Sequence, residues 1–279
     1  MSFPFVKGHG TRNDFVVLPD LDGSVHGDLE PHVVAALCDR RAGIGADGVL
    51  RVLHGDVDGG AEWFMDYRNA DGTVSEICGN GIRVFARYLA ESGLADVASL
   101  DEPLAIDTRD GIKLATFCDD DEISVDMGTP KVAGEVTVSI AGDVRSGRKV
   151  DMGNPHAVVA VDAVADAGEL RQSPIFCAEE YPDGVNIEFV ETRGPRHLAM
   201  RVFERGVGET WSCGTGACAV VAAAVVAEAE REGGAAGLDL PAAYTVEVLG
   251  GTLTVTWGSD DHIHLKGPAE LVASGTWTP

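Results

Sequence analysis

Residues 213–231 read CGTGACAVVAAAVVAEAER, and the run from Ala217 to Ala227 is apolar on every face of a helix. It is too short to cross a bilayer, which takes about 20 residues. Such a helix must be enclosed, here by a sheet that curls around it. Working outward, Cys213-Gly214-Thr215-Gly216 has a near-copy 135 residues earlier, Cys78-Gly79-Asn80-Gly81. That copy opens a second helical segment, Gly79 to Glu91, with Ile82, Phe85, Ala86 and Leu89 on one face. The pattern predicts an α/β chain of two pseudo-symmetric domains, each a curved, mostly antiparallel sheet wrapped around a central helix, with a cysteine at each helix mouth.

The rest of the chain repeats the same order of elements. Phe3 to Val17 reads as strand, turn and strand, and Pro31 to Arg41 as a short helix with Pro in its first turn. Strands are expected at Val49–Leu53, Ala61–Arg68, Leu104–Asp107, Ile112–Phe117 and Glu122–Asp126. Gly128-Thr129-Pro130 signals a turn and the crossing into the second half. Strands recur at Glu135–Ile140, Arg148–Met152 and Ala157–Val161, then a short helical stretch, then strands Gly184–Glu191 and His197–Phe203. The second long helix runs from Gly214 to about Arg231, Gly233 to Pro241 reads as a loop, and Thr245 to Trp277 as a run of short strands. An offset of 135 pairs Met65 with Met200, Asn69 with Glu204 and Cys78 with Cys213.

Length and composition bound the function. The 279 residues suffice for two ordinary domains, and a hydrophobic content of 45% marks a globular chain. A formal net charge of −24 argues against nucleic acid or an anionic membrane as partner. It reads as a solvated acidic surface, with adaptation to high salt as the second reading. Met1 to Gly10 shows no signal-peptide pattern, so a cytoplasmic location with reduced thiols is expected. The six cysteines lack the paired spacing of a structural zinc site, and no metal is expected. Cys218 reads as core, and Cys38, Cys118 and Cys177 as structural.

A cysteine at a helix start meets unpaired N–H groups and the positive end of the helix dipole, which favours its thiolate. Two such cysteines suggest acid–base groups on opposite faces of one carbon, as inversion requires. If the halves face each other, the amides of Gly79, Asn80, Gly214 and Thr215, made accessible by the flanking glycines, would bind a carboxylate. A carboxylate so held can also take the charge released when an amino acid loses its α-proton.

Phe64-Met65-Asp66-Tyr67-Arg68-Asn69-Ala70-Asp71-Gly72 leading to Cys78, and Glu204-Arg205-Gly206 leading to Thr210-Trp211-Ser212-Cys213, resemble the two active-site segments of diaminopimelate epimerases. Gly10-Thr11-Arg12-Asn13-Asp14-Phe15, Gly153-Asn154-Pro155-His156 and Gly184-Val185-Asn186 match in the expected order, so the resemblance covers essentially the whole chain. It implies a cofactor-independent epimerase interconverting LL- and meso-2,6-diaminopimelate, in lysine and peptidoglycan precursor biosynthesis. It also implies domains of residues 1–127 completed by 267–279, and 128–266. By resemblance Cys213 is the base and Cys78 the acid from LL to meso, and His156 and Glu204 tune the two thiols. Some members carry a glutamine after the Asp of the Gly-x-Gly-x-Asp stretch, where this chain has Gly48.

The substrate is then a small diamino diacid. Arg205 can clamp its distal carboxylate, and Asn13, Asn69, Asn154 and Asn186 can meet the distal ammonium and carboxylate, with Glu204 beside them. A racemase of proline or another amino acid on the same fold is the nearest alternative, and a non-enzymatic thiol redox switch is the alternative from another class. A pyridoxal-phosphate racemase needs a Schiff-base lysine, and none of Lys7, Lys113, Lys131, Lys149 and Lys266 stands in a phosphate-binding context. The oligomeric state stays open, a homodimer being one option.

Overall fold

The computed structural model describes residues 2–100, 102–140, 142–233 and 237–278. The chain divides into two compact units, Met1–Val125 with Gly267–Pro279, and Asp126–Lys266.

In the first unit the strands pair in the order Glu270–Trp277, Phe3–Gly10, Asn13–Pro19, Gly48–His54, Trp63–Asn69, Leu104–Asp107, Lys113–Phe117, Ile123–Asp126. The successive pairings are antiparallel, antiparallel, parallel, antiparallel, parallel, antiparallel, antiparallel. The second unit orders Lys131–Ile140, Asp143–Asp151, Pro155–Ala160, Asn186–Gly194, His197–Glu204, Ala242–Val248, Gly251–Trp257, Ile263–Gly267, with the same sequence of pairings. The last strand of the chain thus holds the place in its sheet that the first strand of the second unit holds in the other. That permutation is invisible to a constant sequence offset.

Each parallel step needs a crossover. The first crossover of the first unit carries helix α1 (Pro31–Cys38), and the second carries α2 (Gly79–Glu91). In the second unit the first crossover holds only a 3₁₀ turn, Val164–Ala167, and the two-residue strand Ile175–Phe176, while the second carries α3 (Gly214–Arg231). Helix α2 packs on strands from Glu270–Trp277 at one end of its sheet to Lys113–Phe117 near the other, so the sheet wraps it. Helix α3 is wrapped likewise, from Lys131–Ile140 to Gly251–Trp257. Every residue from Gly214 to Ala223 is buried, as an all-apolar helix demands. In α2 the burial reaches beyond the apolar face to Arg83, whose guanidinium bonds to Asn80 Oδ1 and the Pro268 carbonyl.

Several bounds differ from those read in the sequence. Helix α1 stops at Cys38 because Asp39 adopts extended backbone and its carboxylate accepts the amides of Arg41 and Ala42. Strands Lys131–Ile140 and Asp143–Asp151 extend further than expected because they form one long hairpin. The strand Gly208–Thr210 was unforeseen; it is held by pairing to His197–Glu204. Of the expected Gly233–Pro241 loop, residues 234–236 lie outside the described residues.

Candidate active site

In the first unit, Thr11 and Arg12 both adopt left-handed backbone (φ 49° and 62°), a two-residue hairpin turn that delivers Asn13 to the mouth of α2. Cys78 is the N-cap of α2, and its sulfur accepts the Gly81 amide at 3.4 Å. The Cys78 thiol in turn donates to Asn13 Oδ1 at 3.6 Å, and Asn80 Nδ2 donates to the same oxygen at 3.1 Å. Asn13 cannot turn its amide around, because its Nδ2 donates to the Asp47 carboxylate at 2.8 Å. Asp47 is held by Arg40 at 2.6 Å. The group of Asn13 that faces the Cys78 thiol is thus a hydrogen-bond acceptor.

The second mouth has the opposite polarity. Cys213 is the N-cap of α3, and its sulfur accepts the Gly216 amide at 3.3 Å and lies 3.5 Å from Thr215 Oγ1. Asn154 donates its Nδ2 to that hydroxyl at 3.3 Å, while its Oδ1 faces His156 Nε2 at 2.9 Å. With the amide hydrogen on its oxygen, Thr215 has its own proton free for the sulfur. His156 Nδ1 lies 2.6 Å from Glu188 Oε1, and both side chains are completely buried.

Burial pushes the Cys213 thiol well above its ordinary value, the carboxylates of Glu204 and Glu188 push the same way, and the Thr215 and Gly216 hydrogen bonds only partly oppose them.

The matched strand order gives residue-by-residue counterparts. Phe15 pairs with Gly48 across the parallel step of the first sheet, as His156 pairs with Asn186 in the second. Two residues on, Leu50 stands where Glu188 stands. A Cβ built on Gly81 would lie 3.2 Å from Leu50 Cδ2, and one built on Gly216 would lie 2.8 Å from Glu188 Oε1. Thus a buried apolar pair, Phe15 and Leu50, underlies the first mouth, and a buried His156–Glu188 pair underlies the second.

The remaining expected residues are placed as follows. Asn69 ends strand Trp63–Asn69 and ties off its turn, with Nδ2 on Thr73 Oγ1 at 3.0 Å. Glu204 holds the matching strand end and accepts the Thr210 hydroxyl. Asn186 Oδ1 accepts the Arg205 backbone amide at 3.0 Å, and the Arg205 side chain is exposed, reaching the Asp183 carbonyl at 3.4 Å. Asn80 is buried, its Nδ2 donating to Asn13 Oδ1 and its Oδ1 accepting from the Arg83 guanidinium. Asp66 and Arg68, in the motif before Cys78, join Arg109 in an ionic cluster around the buried Asp66 carboxylate. Cys177 is exposed, which departs from a structural role, and burial lifts the Cys38 thiol to about 12.

Sequence reading missed Asp47 and Glu188. Asp47 lies beside the noted Gly48, but a carboxylate in a turn carries no signal of its target. Glu188 sits in strand Asn186–Gly194, where an acid flanked by Ile187 and Phe189 was the available clue. A cavity of about 530 Å³ in the second unit is lined on α3 by residues between Val220 and Arg231, toward the far end of the helix from Cys213. Among the described residues no cluster of His, Cys, Asp and Glu could hold a metal ion, and no helix is long and apolar enough to cross a membrane.

Solved structures share this fold across the whole chain at low identity. A hydroxyproline epimerase from Agrobacterium vitis aligns with a TM-score of 0.68 and 14% identity, covering 99% of this chain and 92% of that one. A phenazine biosynthesis protein of the PhzF family from Bacillus anthracis aligns at 0.67 and 18%, covering all of both chains. Sequence similarity is far stronger elsewhere. The Streptomyces coelicolor diaminopimelate epimerase is 51% identical over 97% of this chain and 94% of its own. Those of Thermobifida fusca and Corynebacterium glutamicum are each 45% identical, covering 97% and 99% of this chain and 96% and 98% of their own. Fold, paired thiols and relatives together define an isomerase acting on an amino acid. The family model for diaminopimelate epimerase matches residues 5–133 and 148–272, and the chain belongs to that family.

Proposed function

We propose that this chain interconverts LL- and meso-2,6-diaminopimelate by a two-base thiol mechanism, on the cytoplasmic route to lysine and peptidoglycan precursors. From LL to meso, the Cys213 thiolate takes the α-proton and the Cys78 thiol returns a proton to the opposite face; the roles exchange in reverse. The developing negative charge spreads into the α-carboxylate, for which the amides of Gly79, Asn80, Gly214 and Thr215 are the donors. His156 and Glu204 tune the two thiols. Arg205 with Asn13, Asn69, Asn154 and Asn186 receives the distal end of the substrate.

The observation that carries this reading is the opposed polarity of the two asparagine amides. Asn13 offers a carbonyl to Cys78, which suits a resting acid. Asn154 instead offers its amide hydrogen to Thr215, which leaves a hydroxyl proton for the Cys213 sulfur and suits a base. A disulfide switch would have no use for such a difference.

Incubation with LL-diaminopimelate in D₂O under reducing conditions tests the proposal. Deuterium should appear at the α-carbon of the meso product. Reduced protein that exchanges no α-proton would sink the epimerase reading, and exchange with proline but not with diaminopimelate would favour the racemase alternative.

A further inference from the structure

The His156–Glu188 pair raises a question that packing does not answer. At the same place in the first unit the fold is satisfied by Phe15 and Leu50, so nothing in the architecture demands an ionic pair there. Burying one is costly unless every polar atom is satisfied. Yet Glu188 Oε2 is buried with no hydrogen-bond partner, so the only hydrogen bond the carboxylate is seen to make is to His156. An acid retained for structure alone would be better satisfied.

Its bonding sequence shows what the pair can do. Asn154 gives its amide hydrogen to Thr215, so the oxygen it turns to His156 Nε2 can only accept. His156 must therefore donate at Nε2. At Nδ1 it meets Glu188 Oε1 at 2.6 Å, the short separation of a charge-assisted bond. The carboxylate also abuts the first turn of α3 at Gly216, where the helix dipole favours negative charge. An imidazolium beside a carboxylate, with no net charge, fits these contacts. The other ionisable groups facing it are Cys213, with Glu204 beside the sulfur, and Tyr181, whose hydroxyl is lifted to about 12 by burial and then by Glu180 and Glu188.

We propose that Glu188 is a positioning residue of the second site: by holding His156 as a donor at both ring nitrogens, it fixes the Asn154 amide and so leaves the Thr215 hydroxyl proton for the Cys213 sulfur. The inference rests on the epimerase reading for its kinetic consequence, but not for its structural one. Without the carboxylate, the buried ring is neutral and can accept at Nε2. Asn154 is then free to turn over, and Thr215 is obliged to donate to its carbonyl in place of the sulfur.

Nuclear magnetic resonance of the ¹⁵N-labelled full chain tests the protonation directly, with His156 assigned by its loss in His156→Asn. The two ring nitrogens resonate alike in an imidazolium and far apart in a neutral ring. They should be alike in the wild type across the pH range of activity, and should separate in Glu188→Gln. That variant should melt at the wild-type temperature or above while kcat for LL-diaminopimelate falls roughly 10- to 100-fold, as expected for loss of one hydrogen bond to a charged group. Widely separated nitrogens in the wild type, or an unchanged kcat in Glu188→Gln, would overturn the proposal. Should Glu188→Gln not fold, the wild-type spectrum still decides. The double variant His156→Phe/Glu188→Leu, which copies the first unit, should fold without activity, and an active one would also overturn it. Failure of wild-type protein to exchange deuterium would refute the epimerase reading alone, leaving the ring protonation to be judged by its own spectrum.

Discussion

Alanine at Gly216 and at Gly81 should have opposite effects on stability, although the two glycines occupy the same position in matched helices. In an unobstructed helix, alanine in place of glycine is favourable by at most about 1 kcal/mol. At Gly81 the added Cβ meets Leu50 Cδ2 at 3.2 Å and Cys78 Cβ at 3.3 Å, contacts that a methyl group's shift of a few tenths of an ångström relieves. Gly81→Ala should therefore be neutral or stabilising by up to about 1 kcal/mol. At Gly216 the Cβ meets Glu188 Oε1 at 2.8 Å and Cys213 Sγ at 3.2 Å. That oxygen cannot yield cheaply, because it is fully buried and bound to His156 at 2.6 Å. Breaking a hydrogen bond between charged groups costs about 1.5–3 kcal/mol, which leaves a net loss of roughly 0.5–2 kcal/mol after the helix gain. The two variants should thus differ by about 2 kcal/mol, or roughly 4–8 °C in melting temperature for a chain of this size. Differential scanning calorimetry of both, at a pH where the wild type unfolds reversibly, measures the gap. Equal melting temperatures, or Gly81→Ala as the less stable, would refute the claim that an immobile carboxylate stands under α3.

Three further outcomes follow from the same geometry. The Cys38 thiol is raised by burial from 9.0 to about 12, so the fold favours its neutral form. The stability it contributes is whole below pH 9 and is lost as pH climbs toward 12, so urea midpoints over that range should fall less steeply in Cys38→Ala than in the wild type. With one thiol removed, Cys78→Ala should still wash the α-proton out of the LL isomer through Cys213 without inverting it, and Cys213→Ala should do so only with the meso isomer; a Cys78→Ala enzyme that epimerises at the wild-type rate would show that one thiol suffices. Asp47→Asn keeps the size of the side chain but lets the Asn13 amide turn, and should lower kcat from LL to meso roughly tenfold with little change in melting temperature, measured by coupled assay and circular dichroism.

Much of the fold was legible because its deciding elements are local and strongly patterned. An all-apolar segment such as Ala217–Ala227 leaves no option but enclosure, and the two Cys-Gly-x-Gly turns are N-caps that announce where α2 and α3 begin. The strand order was not legible. Parallel neighbours such as Asn13–Pro19 and Gly48–His54 are joined through long crossovers, and the pairing of Phe3–Gly10 with Glu270–Trp277 spans the whole chain, so no window of sequence contains them. The site divides in the same way. Residues on turns and caps, such as Asn13, Cys78, Asn154 and Cys213, carry a local motif. Asp47 and Glu188 act through a neighbour brought in by the sheet, and their side chains alone do not disclose which one.

On the proposed mechanism the two thiols cannot owe their different roles to the helix caps, because the caps are the same at both. Each sulfur caps a helix and accepts the amide of the second glycine, at 3.4 Å for Cys78 and 3.3 Å for Cys213. Dipole and cap therefore act alike on both and cannot make one an acid and the other a base. Besides burial and Glu204, one difference is which end of an asparagine amide faces the helix mouth, and an amide is indifferent to that choice until something fixes its other end. Asp47 accepts from Asn13 and turns its carbonyl toward the thiol. His156 faces the oxygen of Asn154 and turns its amide hydrogen toward Thr215. On the proposed mechanism, a carboxylate next to one amide and an imidazole next to the other help to polarise two matched helix mouths, with Glu188 keeping the buried imidazole a donor. Exchanging the fixing groups should weaken the resting difference between the thiols, whereas exchanging residues within the two Cys-Gly-x-Gly turns should not.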